Sequence, residues 1–376
     1  MTQDKDRKSL NVPPLRFPGF TDEWEKITLG ELGDTMIGLT YSPKDVVETG
    51  GTIVFRSSNI QGGMIDYLDL VRVSKPIKER IVTKRMIFLI CARNGSQRLI
   101  GKNTLLKESD AGNTFGAFMM VYRSEDNDIV HPLLSTKRYI SQVSENLGAR
   151  INQITTTDLN SFEFYLPQES EEKRKIGRLF ALINERIATQ NKIIEDLKKL
   201  KSAIVEKLMT PQKEWKSTKI GNVLSIGSGR DYKHLEDGNI PVYGTGGYML
   251  SVDSYLYDGE SVCIGRKGTI NKPIFLKGKF WTVDTLFYTH TFRSITPRFC
   301  YYLFTTIDWL KYNEASGVPS LSKVAIENIS ISIPDLVTQK HICAVLDSMT
   351  DKLDIEQTLL DAYHAQKQYL LHQIFI

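Results

Sequence analysis

The sequence predicts an α+β protein built twice over. Two pseudo-repeated mixed α/β units alternate with two long helices, which form an antiparallel coiled coil about an approximate two-fold axis. Three observations predict this. A tryptophan–glycine motif recurs at long range, an alternating strand that stops at proline recurs behind it, and each proline is followed by 41 residues of helical stripe.

The first motif is Glu23-Trp24-Glu25-Lys26-Ile27-Thr28-Leu29-Gly30, which returns as Glu214-Trp215-Lys216-Ser217-Thr218-Lys219-Ile220-Gly221, an offset of 191. Residues 86–102 resemble 261–272: each is an apolar, strand-like run ending in Arg (Arg93, Arg266) and then a Gly-containing turn. Leu147-Gly148-Ala149-Arg150 leads to FEFYLP at 162–167, as Ser316-Gly317-Val318-Pro319 leads to ISISIP at 329–334. Both ends alternate apolar and polar residues in a strand's period of two.

The two stripes follow. Ile176, Phe180, Ile183, Ile187, Ile194, Leu197, Ile204 and Leu208 recur at spacings of three and four, and so, 166 residues later, do Ile342, Leu346, Met349, Leu353, Leu360, Tyr363, Leu370 and Ile374. The polar interruptions coincide as well, Gln190 with Glu356 and Lys201 with Lys367. Such a stripe, sustained over about five heptads, predicts helices that seat against one another, with the polar positions fixing register. At 1.5 Å per residue each helix is expected to run roughly 60 Å. The expected division is a globular unit over 1–167, a spacer helix over 168–212, a second unit over 213–334 and a second spacer helix over 335–376.

Composition sets bounds on function. With 376 residues, 41% hydrophobic and 24% charged, the chain is ordinary globular protein and neither disordered nor collagen-like. No apolar run reaches membrane-spanning length, and the polar start is no signal peptide. Cys91, Cys263, Cys300 and Cys343 are far apart and read as small buried residues in a reducing compartment, so a cytoplasmic location is expected.

The net charge of +4 conceals a pattern. Positions 72–107 hold ten basic residues against Glu79 alone. At the matching place in the second unit come Arg266, Lys267, Lys272, Lys277 and Lys279, with no acid between Glu260 and Asp284. Recurrence in both repeats points to two patches facing a phosphate backbone. Side chains able to read base edges are interleaved with these charges. In the first unit they are Tyr41, Arg56, Ser58, Asn59, Arg93, Asn94, Ser96, Gln97, Arg98, Arg150, Asn152 and Gln153. In the second they are Arg230, Tyr232, Tyr243, Thr245, Arg266, Lys267, Thr269, Lys272 and Ser320.

The sequence offers no catalytic constellation. There is no phosphate loop of the GxxxxGK[ST] type, no Asn/Asp-Pro-Pro-aromatic run for adenine methylation and no HExxH. Pro334-Asp335 with Lys340 faintly echoes a nuclease motif, but Asp is the expected residue at a helix start. A non-catalytic binding role, with no metal site, is therefore expected.

The residues resemble a family at this point. Val12-Pro13-Pro14-Leu15-Arg16-Phe17-Pro18-Gly19-Phe20 running into Glu23-Trp24 and the Trp-x5-Gly pairs Trp24/Gly30 and Trp215/Gly221 look like the specificity subunit of type I restriction–modification enzymes. The proline-terminated strands and the helix starts Glu172-Lys173-Arg174-Lys175-Ile176 and Gln339-Lys340-His341-Ile342 extend the likeness over essentially the whole chain. The resemblance implies two target recognition domains, each reading half of a bipartite, asymmetric double-stranded DNA site, with the helices as spacer. It further implies two methyltransferase subunits docked on the helices and carrying S-adenosylmethionine, restriction/translocase subunits using ATP and Mg, and a role in host defence through DNA methylation. Lys198-Lys199 and the apolar end from Tyr369 to Ile376 are the expected partner contacts. The alternative is a scaffold that bridges two protein partners without reading DNA.

Overall fold

The computed structural model describes residues 11–149 and 152–376. These fall into two compact units, one comprising residues up to Gln190 together with Leu359–Ile376, the other Asn191–Thr358.

In the first unit, strand Glu25–Thr28 pairs antiparallel with Glu163–Leu166, Thr28 opposite Glu163. Thr28 then caps the short helix Leu29–Leu32, with Glu31 closing the reciprocal bond to the Thr28 backbone. Two four-stranded sheets follow. One orders Thr114–Phe115, Thr52–Phe55, Val71–Val73 and Val46–Val47; the other orders Gly33–Ile37, Met119–Ser124, Phe88–Cys91 and Asn103–Leu105. Phe88–Cys91 is buried on both faces. Its period of two sends Phe88 and Ile90 into a core with Trp24 and Tyr122, and Leu89 and Cys91 into a second core with Phe55 and Phe115.

The second unit repeats the frame. Lys216–Lys219 pairs antiparallel with Ser330–Ile333, and the short helix Ile220–Val223 follows directly. The interior is a single six-stranded sheet in the order Ser225–Ser228, Leu286–His290, Tyr257–Gly265, Ile274–Thr282, Asp237–Gly244, Gly247–Val252. Helix Pro297–Thr306 begins as its sequence dictates, with Thr296 accepting from the Phe299 amide and Pro at the first helical position. It buries Phe299, Tyr302 and Phe304 in a core with Val262 and Ile264.

The two frames repeat the same backbone contacts at matching residues. Leu29 N donates to Phe162 O, and Ile220 N to Ile329 O. Gly30 and Gly221 hold the same post: a Cβ would lie 3.1 Å from Asn160 O in the first unit and 3.0 Å from Glu327 Cβ in the second. That close approach of two short helices is why the Trp-x5-Gly motif ends in glycine.

The long helices are Ser170–Met209 and Leu336–Ile374. Asp335 caps the second: its carboxylate accepts from the Val337 and Thr338 amides, which also holds its pKa below the usual range. The nuclease-like echo is thus a helix cap. In the first unit the start of one helix runs antiparallel to the end of the other, with Phe180 against Phe375 and Arg186 over the Tyr363 ring. In the second unit Lys201 Nζ donates to Thr350 Oγ1 at 2.7 Å, while Ile204 and Leu208 join the core holding Ile342 and Leu346. The stripe residues are all buried or half-buried. The outer turns do more than face the other helix: Ile176, Phe180 and Ile183 belong to the same core as Trp24 and Leu29.

Candidate nucleic-acid interface

The first-unit candidates converge because three loops are tied together. Strand Phe88–Cys91 ends in a loop whose Asn94 Nδ2 donates to Ser57 Oγ at 2.8 Å, joining it to the 56–59 turn. Asn94 N donates to Asn152 O, Asn152 Nδ2 to Gly95 O, and Arg93 bridges to Gln153, which brings in the third loop. Tyr41 is half-buried beside Gly116 at the same end. Arg93, Gln97, Arg98 and Ser58 are exposed; Asn94, Ser96, Asn152 and Gln153 are half-buried. Arg150 lies outside the described residues.

Asn59 is a correction. It is 1% exposed, its amide donates to Asp66 O and Asp69 O, and its Oδ1 accepts from Arg56 N. Every polar atom of the side chain serves the turn, so none is left for a base edge. Arg56 is half-buried, and its guanidinium is engaged by the Asp69 carboxylate at 2.7 Å. Both residues brace the loop that carries Ser57 and Ser58.

In the second unit Arg230 is exposed and anchored through its backbone, to Thr282 O and from Trp281 Nε1. Tyr232 packs into an apolar cluster with Trp281 and Val283. Tyr243 O accepts from Val283 N. The Thr245 hairpin approaches the 266–269 loop, since a Cβ on Gly268 would lie 3.7 Å from Thr245 Oγ1. Lys267 bridges to Ser320, Thr269 is half-buried, and Arg266 and Lys272 are exposed.

The basic stretch here is a second correction. Antiparallel pairing sets Lys277 opposite Glu260, at 3.3 Å, and Lys279 opposite Asp258. Acids that the sequence keeps apart from these lysines are returned to them by the fold, because cross-strand neighbours sit about 5 Å apart. The loop's own basic residues are Arg266, Lys267 and Lys272.

The two loops occupy one backbone cradle. In the first unit the amides of Ala92 and Arg93 both donate to Phe118 O, Ile154 N to Ala92 O, and Asn94 N to Asn152 O. In the second the amides of Arg266 and Lys267 both donate to Thr285 O, Leu321 N to Arg266 O, and Gly268 N to Pro319 O. Arg93 therefore corresponds to Lys267, and Arg266 to Ala92, one residue away from the correspondence that the shared Arg suggests. Two exposed aromatics escaped the sequence reading. Phe118 is 59% exposed beneath Arg93, and Tyr248 stands at the hairpin beside Tyr243. Aromatics in strand-rich sequence read as core, so composition gave no signal; the Gly116 turn before Phe118 was the one available hint.

The apolar end of the chain is the third correction. Leu371, Ile374 and Phe375 are buried in the first unit's core, with the Phe375 ring 6.3 Å from Trp24, while Tyr369 is exposed. Leu15 N donates to Gln373 O at 3.0 Å, strapping the 11–20 segment across that end. The four cysteines are buried, and burial pushes the Cys91 thiol to about 11 and Cys263 to about 12. Among the described residues no group of three or more His, Cys, Asp or Glu could hold a metal ion, and no helix is long and apolar enough to cross a membrane.

Comparison with known proteins places this geometry. The family profile of the type I restriction modification DNA specificity domain matches residues 21–199 and again 212–362. A Haemophilus influenzae protein provisionally named as a type I restriction enzyme specificity subunit is 28% identical over 30% of this chain and 30% of its own length. The chain spans about a third of the length of the first curated relatives it matches. A similarly named Methanocaldococcus jannaschii protein is 23% identical over 97% of this chain and 96% of its own. The type I restriction–modification S subunit from M. genitalium shares the fold at a TM-score of 0.64 and 18% identity, covering 97% of this chain and 99% of that one. With two copies of the matched domain accounting for most of its length, the chain belongs to the type I restriction–modification DNA specificity family.

Proposed function

We infer that this chain is the non-catalytic specificity subunit of a type I restriction–modification complex. Each unit reads one half of a bipartite, asymmetric duplex target. The division into recognition domains over 1–167 and 213–334, with spacer helices over 168–212 and 335–376, belongs to this proposal. So do two methyltransferase subunits docked on the helices and S-adenosylmethionine, ATP and Mg carried by partner subunits in the cytoplasm.

The observation that supports the reading best is the duplicated cradle. Two stretches that differ at most loop positions are folded onto the same backbone bonds, and each presents exposed basic residues on loops. Loops on a rigid scaffold can vary in what they read while the scaffold is preserved. Basic side chains supply affinity through phosphate, and polar loop side chains supply discrimination.

Binding of the assembled methyltransferase to duplex DNA, titrated with salt, tests this. Affinity should fall steeply as salt rises, and Arg93→Ala or Lys267→Ala should weaken specific binding. A flat salt response with both variants at wild-type affinity would favour the scaffold alternative. Methylome sequencing of cells with and without the gene would then display the bipartite motif itself.

A further inference from the structure

Within the shared cradle one of the differences between the units is a paired feature. Phe118 holds the first unit's acceptor carbonyl, and Arg93 lays its guanidinium over the Phe118 ring, 5.1 Å from Cζ to the centroid. The second unit has Thr285 at the acceptor position and Lys267 at the cationic one, while the neighbouring Arg266 lies over the ring of buried Phe287, 6.0 Å from Cζ to the centroid. Both Arg93 and Phe118 are exposed, and Asn94, on the same loop, is held at Ser57.

An exposed arginine ordinarily loses its aim to side-chain freedom. Stacking on a ring removes part of that freedom and leaves the edge of the guanidinium, with its fork of N–H donors, facing outward. A planar, pre-aimed fork matches the O6 and N7 acceptors of guanine in the major groove; a lysine ammonium can donate to the same acceptors but is a mobile point charge without a rigid fork. The fork and an exposed platform are thus present together at the cradle in the first unit; the corresponding positions of the second hold Lys267 and Thr285, and the ring under Arg266 is itself buried.

We propose that Arg93 stacked on Phe118 reads a guanine in the half-site of the first unit, with Phe118 as its positioning residue, and that Lys267 beside Thr285 makes no such reading in the second. The assignment rests on the DNA-reading function above and deepens it by naming a base and the pair that selects it. Phe118 acts through its ring face, so bulk alone does not replace it.

The test is selection from a pool of randomised duplexes by the full chain in complex with its methyltransferase subunits, followed by sequencing of the bound fraction. Wild type should return a two-part motif. Phe118→Leu should relax preference at one guanine of one half by roughly tenfold, as losing a bidentate contact would, with the other half unchanged. Phe118→Tyr should restore it, and Arg93→Lys should reproduce the loss. The proposal is overturned if Phe118→Leu leaves every position at wild-type preference, or if Phe118→Leu and Phe118→Tyr weaken all positions alike. A wild-type pool without any motif would instead bring down the DNA-reading function, and the proposal with it.

Discussion

Arg16 meets Glu172 in two parallel hydrogen bonds inside the first unit, Nε to Oε1 at 2.6 Å and Nη2 to Oε2 at 2.8 Å. The Glu172 side chain is 1% exposed and that of Arg16 10%. The bond to Glu172 raises the Arg16 pKa further, and the paired geometry is that of a strong, charge-assisted contact. It clips the 11–20 strap to the first turn of the long helix. Breaking such a pair leaves one charge buried and uncompensated, at a cost of about 3–5 kcal/mol, whereas replacing both partners removes the penalty with the benefit. Arg16→Met alone should therefore lower unfolding stability more than Arg16→Met with Glu172→Leu, measured by chemical denaturation followed through Trp fluorescence. Losses that simply add would refute a charge-driven clip.

Gly177 presents a conflict that magnitudes decide. In a helix interior, Gly→Ala gains about 1 kcal/mol of helix propensity. Here a Cβ would lie 2.6 Å from Asp128 Cβ and 2.7 Å from the Asp128 carbonyl carbon and oxygen, which are backbone and cannot swing aside. Overpacking of this kind costs about 1–3 kcal/mol, so the clash outweighs the propensity. Gly177→Ala should lower the thermal midpoint; a midpoint raised above wild type would show that helix Asn127–Leu133 gives way freely.

The balance between legible and illegible features follows from what each depends on. Trp24/Trp215, Gly30/Gly221 and the two stripes were readable because backbone approach and core burial tolerate few residue types, and both units solve the same problem. The reading loops were less so. The alignment through Arg93 and Arg266 was off by one because the cradle is held by main-chain amides, which any residue supplies, and the shared Arg is incidental to it. Asn59 looked like a reader because an amide that ties a turn and an amide that reads a base are the same group in sequence. Lys277 and Lys279 joined a basic patch only until strand register paired them with Glu260 and Asp258.

His131 supplies a pH dependence. Burial beside Phe88, reinforced by the positive charge of Lys367 and opposed by Asp128, lowers its pKa from 6.5 to about 4. The folded state therefore holds His131 neutral where the unfolded chain takes up a proton. Its contribution is fully present above about pH 6.5 and is lost progressively as pH falls toward about 4, roughly 3 kcal/mol at most. His131→Leu should remove that increment: the difference in stability between wild type and variant should shift against wild type as pH drops from 7 to 4. A difference constant over this range would mean that His131 titrates normally.

Phe375 separates a core residue from a contact residue. Its ring lies 5.9 Å from Phe180 and 6.3 Å from Trp24, joining the second long helix to the core that the first motif begins. Truncating a buried Phe costs about 3–5 kcal/mol, part of it lost transfer free energy and part the cavity left behind. Tyr369, six residues earlier in the helix that ends just before Phe375 and 62% exposed, offers the contrast. Phe375→Ala should lower the unfolding free energy of the chain by itself, with no partner present, while Tyr369→Ala leaves it within about 0.5 kcal/mol of wild type. If instead Phe375→Ala unfolds as wild type does and fails only in assembly with methyltransferase, the apolar end is a docking surface and the packing against Trp24 contributes nothing to stability.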